Sequence, residues 1–420
     1  MKGERKTAPV IRFKGFSDAW EQRKLGDVSN YIKGFAFKSK DYKKDGVRII
    51  QVSDLTKDKI KCSNTNIFVS LELAELNKKY RINKNEIIIT TVGSKAEIKE
   101  SAVGRPIIVA EEGHFLLNQN LVKLTSLQRF DNYFIYSQLL QPRYINYIAA
   151  IERGNANQAN IAIIDLWQYT FLVPKKLEQQ KISMFFKQLD NTIALHQRKL
   201  DSLKLMKKGF LQQMFPGKGE KVPRLRFADF PDEWEQCIVS DFTDKTYGGG
   251  TPKTNIPEYW TGEIPWIQSS DLIKDDFFNV APKKHITEDA IRNSSTKLVP
   301  SNSITVVTRV GVGKLAFMPF EYATSQDFLS LSNLKVSLIF GVYSLYNMLQ
   351  KELNNIQGTS IKGITKSDLL EKSITIPVEV EEQKKIGFLF KQLDDIILFH
   401  KNKLNQFQAL KKAYLQNMFI

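Results

Sequence analysis

Six polar or glycine-rich stretches carry the residues best suited to chemistry. The first half has KGFAFKSKDY from Lys33, TVGSKAEIK from Thr91 and ERGNANQAN from Glu152; the second has YGGGTPKTN from Tyr247, RVGVGK from Arg309 and QGTSIKG from Gln357. Glycine lets a backbone approach a phosphate chain closely, lysine and arginine neutralise it, and Asn, Gln, Ser and Thr match base edges. The candidates are Lys33, Lys38, Lys40, Ser94, Lys95, Arg153, Asn155, Asn157 and Gln158 in the first half, and Gly249, Thr251, Lys253, Thr254, Arg309, Lys314, Thr359, Ser360 and Lys362 in the second. The lysines suit phosphates; Asn155, Asn157, Gln158 and Arg309 suit bases. Any one loop reads equally well as a surface turn, but six at matching stations in a basic chain favour a polyanion. Catalytic signatures are poor: GVGK lacks the spacing and the Ser or Thr of a P-loop, NIPEY at Asn255 is not an amino-methyltransferase motif, and EIK at Glu97 is too short for a nuclease carboxylate cluster.

Totals set the frame for these loops. The 420 residues suffice for two or three domains, and 42% hydrophobic with 25% charged residues describes a chain that folds. A net charge of +16 suggests a nucleic acid or an acidic protein surface as partner, with a solvated surface charge as the bland alternative. Cys62 and Cys237 form no paired motif, so neither a disulfide framework nor a cysteine metal site is expected. No apolar leader and no run of about 18 apolar residues occurs, which favours the cytoplasm over export or a membrane.

The elements that must position the loops occur twice. EQQKISMFFKQLD from Glu178 returns as EQKKIGFLFKQLD from Glu382, and across 178–215 and 382–419, at a constant offset of 204 (382 − 178), 19 of 38 positions are identical. IRFKGFSDAWEQ from Ile11 resembles LRFADFPDEWEQ from Leu225, at an offset of 214 (234 − 20, the two tryptophans). Between these shared ends only islands match, such as Ser53-Asp54-Leu55 with Ser270-Asp271-Leu272 and Gly154 with Gly358. Two halves share a scaffold and differ in their middles. There, NEIIITTV from Asn85, GRPIIVA from Gly104, SNSITVVTRV from Ser301 and KSITIPV from Lys372 read as strands, and the aromatic stretches from Asp131 and Phe340 read as helices.

Each shared 38-residue segment has a heptad seam: Ile182, Phe186, Leu189, Ile193, His196, Leu200, Leu203, Lys207, Phe210 and Met214 in the first, and Ile386, Phe390, Leu393, Ile397, His400, Leu404, Phe407, Lys411, Tyr414 and Met418 in the second. At 1.5 Å per residue each makes a rod of roughly 57 Å. If the rods pack antiparallel about a pseudo-twofold axis, His196 and His400 meet near the middle and fix the register. Each helix carries seven Lys or Arg and three Asp or Glu, so the pair holds +8 of the +16. The identical residues Lys187, Gln188, Asp190 and Lys199, matched by Lys391, Gln392, Asp394 and Lys403, are read as outward-facing and suited to docking two copies of one partner; a solvated coiled-coil face is the alternative.

With its duplicated RF..F...WEQ openings, duplicated EQ.KI...FKQLD..I..H..KL helices and unlike middles, the chain resembles the specificity subunit of type I restriction-modification systems over essentially its whole length. The resemblance implies an α+β fold, with two similar target recognition domains joined by two long helices in an antiparallel coiled coil of pseudo-twofold arrangement. Domain boundaries follow at 1–177 for the first recognition domain, 178–215 for the first spacer helix, 216–233 for a linker and the start of the second repeat, 234–381 for the second recognition domain and 382–420 for the second helix. It also implies that each recognition domain reads one half of a bipartite site on double-stranded DNA, while two methyltransferase subunits dock on the repeated regions. The specificity subunit then has no catalytic residues, metal or cofactor of its own. S-adenosylmethionine belongs to the methyltransferase partner, and ATP and Mg to restriction subunits that cut DNA. The rival readings are a free-standing DNA modification enzyme and a coiled-coil adaptor without DNA specificity.

Overall fold

The repeated opening and the repeated helix fold onto each other. In the computed structural model, which describes residues 8–56, 59–61, 66–95, 103–110, 113, 115–155, 158–217, 219–355 and 363–420, the Glu-Gln that follows each tryptophan begins a short strand. Glu21–Lys24 pairs antiparallel with Thr170–Val173, and Glu235–Ile238 pairs antiparallel with Ser373–Ile376. Thr170–Val173 leads into a long helix, Lys176–Gln213, and Ser373–Ile376 into a second, Val380–Asn417.

The chain divides into two compact units, Met1–Leu195 with Lys403–Ile420, and His196–Asn402. Both cut the long helices near their middles, because each half-seam packs into a different core. In the first unit Trp20, Phe134, Ile182, Phe186, Met418 and Phe419 share one buried cluster. In the second, Phe215, Trp234, Phe340, Ile386 and Phe390 do the same. The helices run antiparallel within each unit: Phe185 meets Tyr414 with ring centroids 4.8 Å apart in the first, and Lys207 meets Asp394 in the second.

The middles share topology despite their different sequences. The first unit has an antiparallel sheet in the order Ser29–Lys33, Leu121–Ser126, Ile87–Thr90, Pro106–Ile108. The second matches it with Thr243–Gly248, Phe328–Leu334, Ser303–Val307 and Leu315–Met318. Ile87–Thr90 and Ser303–Val307 are buried on both faces, which is why they read as unbroken apolar runs rather than alternating ones. A second sheet in each unit contains one parallel pair, Val47–Ile50 with Phe115–Leu117 and Ile264–Ile267 with Ala323–Thr324.

The aromatic stretch from Asp131, read as one helix, is two: Asn132–Leu139 and Pro142–Ile151. Pro142 cannot continue a helix but suits the first position of the next. The stretch around Phe340 is a single helix, Leu338–Asn355. The Ser-Asp-Leu islands are caps, for the buried Asp54 accepts the Gln51 amide at 2.9 Å through Oδ2, and the buried Asp271 accepts that of Gln268 at 3.0 Å.

Candidate nucleic-acid interface

Sheet register gathers the polar loops of each unit at one end of its four-stranded sheet. In the first unit Lys33 stands opposite Val122 and Thr90 opposite Leu121, so the loops after the two strands that flank Leu121–Ser126 leave side by side. Val92–Gly93 then pairs with Gln158–Asn160, which pairs with Arg153–Asn155. Short strands from two stretches separate in sequence thus join in one three-stranded sheet. Gly154 has φ +113° and its missing side chain would strike the Gln158 carbonyl, so the turn requires glycine. Arg153, Gln158, Lys33, Lys38 and Lys40 are exposed, with Lys38 capping and Lys40 within the 3-10 turn Ser39–Asp41 that follows Ser29–Lys33.

Not every candidate here is available to a ligand. Asn155 Oδ1 accepts the Gln158 amide at 2.9 Å and so closes the hairpin. Arg153 pairs with Asp165 at 2.9 Å, although both remain accessible. Ser94 is buried and Lys95 half-buried. Cys62, Glu97, Asn157, Gly358, Thr359, Ser360 and Lys362 lie outside the described residues.

In the second unit Gly248 stands opposite Leu329 and Val307 opposite Phe328, so the loops from Gly248 and from Thr308 share one sheet end as well. Ile364 N donates to Thr308 O at 2.8 Å, as Ile161 N donates to Thr91 O at 3.1 Å in the first unit. Two indoles hold the Gly248 loop from below: Trp266 Nε1 donates to Gly250 O at 3.0 Å and Trp260 Nε1 to Lys253 O at 3.2 Å. Thr251 donates to Gln326 Oε1 at 2.6 Å, and Lys253, Thr254 and Arg309 are exposed.

Two candidates of this unit are structural. Gly249 is half-buried, and a side chain there would strike the Ser325 carbonyl, so the glycine serves packing rather than approach to a ligand. Lys314 turns inward, its Nζ donating to the carbonyls of Ser269 at 3.0 Å and Leu272 at 2.9 Å, and is spent on tying its loop to the Ser269–Asp271 turn.

The helix residues divide in the same way. Lys187, Gln188, Lys199 and Gln392 are exposed, and Lys403 is half-buried. Lys391 is half-buried, pairs with Asp395 at 2.5 Å and lies 4.9 Å from the Phe278 ring centroid. Asp190 and Asp394, read as outward, face inward instead. Asp394 accepts from Lys207 Nζ and from Tyr343 Oη, both at 2.6 Å; Asp190 accepts from Lys411 Nζ and Tyr133 Oη, both at 2.5 Å. Burial raises the Asp394 pKa, and Lys207 then Tyr343 pull it back. Burial, and then the facing aspartate, raise both tyrosines well above the ordinary phenol value.

The repeated openings are tied to the helices by matching bonds. Arg12 donates to both carboxylate oxygens of the buried Glu178 at 2.7 and 2.8 Å, and Arg226 to those of the buried Glu382 at the same distances. The next residue staples the middle: Gln179 Oε1 accepts the Asp131 amide at 2.9 Å, and Gln383 Oε1 the Ser337 amide at 2.8 Å.

A family model described as the type I restriction modification DNA specificity domain matches this sequence twice, over residues 17–205 and 231–409. The chain belongs to that family. A putative type I restriction enzyme MjaX specificity subunit from Methanocaldococcus jannaschii is 24% identical over 409 residues, covering 94% of this chain and 92% of the relative. The EcoR124I/EcoR124II specificity subunit of Escherichia coli is 29% identical over 160 residues, 36% of this chain and 39% of the relative. Among solved structures, a type I restriction-modification S subunit from M. genitalium matches with a TM-score of 0.66 at 13% identity, covering 98% of this chain and 99% of that one. A type I R-M structure described in terms of complex assembly and conformational transition matches with a TM-score of 0.51 at 16% identity, covering 94% and 96%.

Both halves are thus DNA specificity domains in tandem, and the readings as a free-standing enzyme or an adaptor without DNA specificity are not favoured. Among the described residues no helix is long and apolar enough to cross a membrane. Within this specificity subunit, register unites the loops from Lys33, Thr91 and Glu152, and separately those from Tyr247 and Arg309. Sequence reasoning missed Gln326 and Lys366, which stand in neither a glycine-rich loop nor a basic run. It also missed Trp260 and Trp266, whose NH groups find loop carbonyls only through the fold.

Proposed function

We propose that each unit reads one half of a bipartite site on double-stranded DNA through its gathered loops, and that this subunit supplies specificity to catalytic partners rather than catalysis. One observation carries the reading: the Arg–Glu, Gln and Lys–Asp–Tyr contacts recur residue for residue in both units, while the loops they support share almost no sequence. Equal scaffolds with unequal loops suit two different half-sites. Each mismatched base pair costs about 1 to 3 kcal/mol, so two half-sites reach a selectivity that one does not.

The two helices, unbroken over 38 residues each, set the spacer between half-sites, and their exposed Lys187, Gln188, Lys199 and Gln392 contribute to docking two methyltransferase subunits. S-adenosylmethionine is bound and adenine methylated in that partner; ATP and Mg act in restriction subunits where these join. The setting is the cytoplasm. Co-purification with a methyltransferase, followed by mapping of methylated adenines on DNA from cells holding both, tests the reading. Methylation at a two-part site supports it. Methylation or cleavage by the purified chain alone overturns it.

A further inference from the structure

Two cations of the second unit, Arg309 and Lys366, converge on one end of its sheet with no ion-pair partner among the described residues. Gly248 and Thr308 leave the same end of the four-stranded sheet, and Gly363–Lys366 returns along that end through the bond from Ile364 N to Thr308 O at 2.8 Å. Gly363, at φ +129°, lies against the backbone of Arg309, its absent Cβ 3.7 Å from the Arg309 Cα. Lys366 crosses to the other loop, where its Nζ fills the space that a side chain at Gly248 would take. Arg309 is exposed and the lysine half-buried. Burial, and then the Arg309 charge, hold the Lys366 pKa below the ordinary lysine value.

Asp327, whose carbonyl accepts from the Thr308 amide beside Arg309, has its carboxylate 3.4 Å from Ser325 Oγ and makes no ion pair with either cation. Among the described residues neither Arg309 nor Lys366 has an ion-pair partner. The carboxylate nearest in sequence, Asp368, instead accepts the Thr365 amide at 3.3 Å. Residues 356–362 contain no Asp or Glu. The first unit differs, for its Arg153 has Asp165. Between them the two side chains offer only donors, so their ligand is an acceptor. A base edge is neutral and leaves the repulsion in place; a phosphate offsets it and binds more strongly where water is partly excluded.

We propose that Arg309 and Lys366 form the seat of one DNA backbone phosphate in the second unit, with Gly248 making room for the lysine. The proposal rests on the reading that this unit grips duplex DNA, and it makes the pair a register-holding contact rather than a base reader. It assigns Arg309 to phosphate, although its residue type suits guanine equally.

The test uses the full chain in its complex with the methyltransferase and a duplex carrying the site mapped for the wild type. Affinity is measured across a potassium chloride series for Lys366→Gln, Arg309→Gln and Gly248→Ala, the last keeping both charges while displacing the amine. Each should weaken binding roughly tenfold at low salt and lower the slope of log affinity against log salt by about 0.9, with the methylated sequence unchanged. Wild-type affinity and slope in Lys366→Gln overturn the proposal, as does a changed base preference with an unchanged slope. The melting temperature is also read with and without inorganic phosphate: if phosphate raises it in the wild type but not in Lys366→Gln while duplex binding is intact, the ligand is a free anion and the proposal is overturned too. If the wild-type complex does not prefer its mapped duplex to an unrelated one, the DNA reading itself fails, which is a different result.

Discussion

His196 Nδ1 lies 2.9 Å from His400 Nδ1, with the ring centroids 5.0 Å apart. The contact needs one protonated and one bare nitrogen, so two imidazolium rings destroy it. These residues stand at equivalent positions of the repeated helices, and their meeting is what the antiparallel seam requires.

Acidification should therefore loosen the second unit. Burial, then His196 and Lys199, hold the His400 pKa below its ordinary value. The unfolded chain consequently takes up the proton first as pH falls through about 6.5, and stability is lost on that side. Melting temperatures compared at pH 7.5 and 5.5 should fall for the wild type and fall less for the double variant His196→Leu, His400→Leu. Equal falls, which would come from carboxylates alone, count against the imidazole contact.

Lys207 and Lys411 occupy seam positions yet carry charge, each facing an aspartate of the other helix. The Lys207–Asp394 side chains are 10% and 16% exposed, the Lys411–Asp190 side chains 20% and 26%. Lys207→Met strands a half-buried carboxylate and should cost about 3 kcal/mol, with Lys411→Met costing less. Because Asp394 already titrates above its ordinary value, adding Asp394→Leu to Lys207→Met should restore most of the loss. Urea denaturation of the four variants in a double-mutant cycle measures this. A loss that persists in the double variant means packing, not charge, holds the site.

The two repeated tryptophans are not equivalent. Trp234 Nε1 donates to Glu382 Oε1 at 3.3 Å, whereas the buried Trp20 Nε1 has no hydrogen-bond partner among the described residues. Trp234→Phe should cost about 1 kcal/mol more than Trp20→Phe, read from denaturation midpoints. In the same openings Arg226→Lys loses the two-pronged grip on the buried Glu382 and should destabilise by about 2 kcal/mol. Near-wild-type stability of Arg226→Lys would show that one donor suffices.

Gln158 is exposed on the hairpin of the first unit, whereas Asn155 closes that hairpin. Gln158→Ala should relax the first half-site alone, by about 1 to 3 kcal/mol of discrimination at one base pair, leaving the second half-site as it was. Asn155→Ala should weaken the whole half-site by loosening the turn. Methylation maps from cells carrying each variant with the methyltransferase distinguish the two, and a shift in the second half-site from Gln158→Ala runs against separate readers.

Much of the scaffold was legible because it is written in local periodicity and in self-comparison. Alternating steps of three and four from Ile182 to Met214 define a helix face whatever surrounds it, and a constant offset of 204 with 19 of 38 identities marks a segment doing one task twice. The glycine-rich loops were legible as loops for the same reason. Which of their side chains are free was not: Lys314 meets carbonyls more than 40 residues away, and Lys366 fills the space beside Gly248 although it stands in no basic run.

The sequence by itself determined two rods, two unlike middles, their basic charge and the positions on each rod that face a core. Tertiary structure decided the rest: that Asp190 and Asp394 turn inward, that the Ser-Asp-Leu islands cap turns, and that short strands from two distant stretches join in one sheet in the first unit. Periodicity records which face of an element is apolar, because that depends on neighbours in sequence. The partner of a polar side chain is chosen across the fold, by whichever donor or acceptor the packing brings within about 3 Å, and no local pattern encodes it.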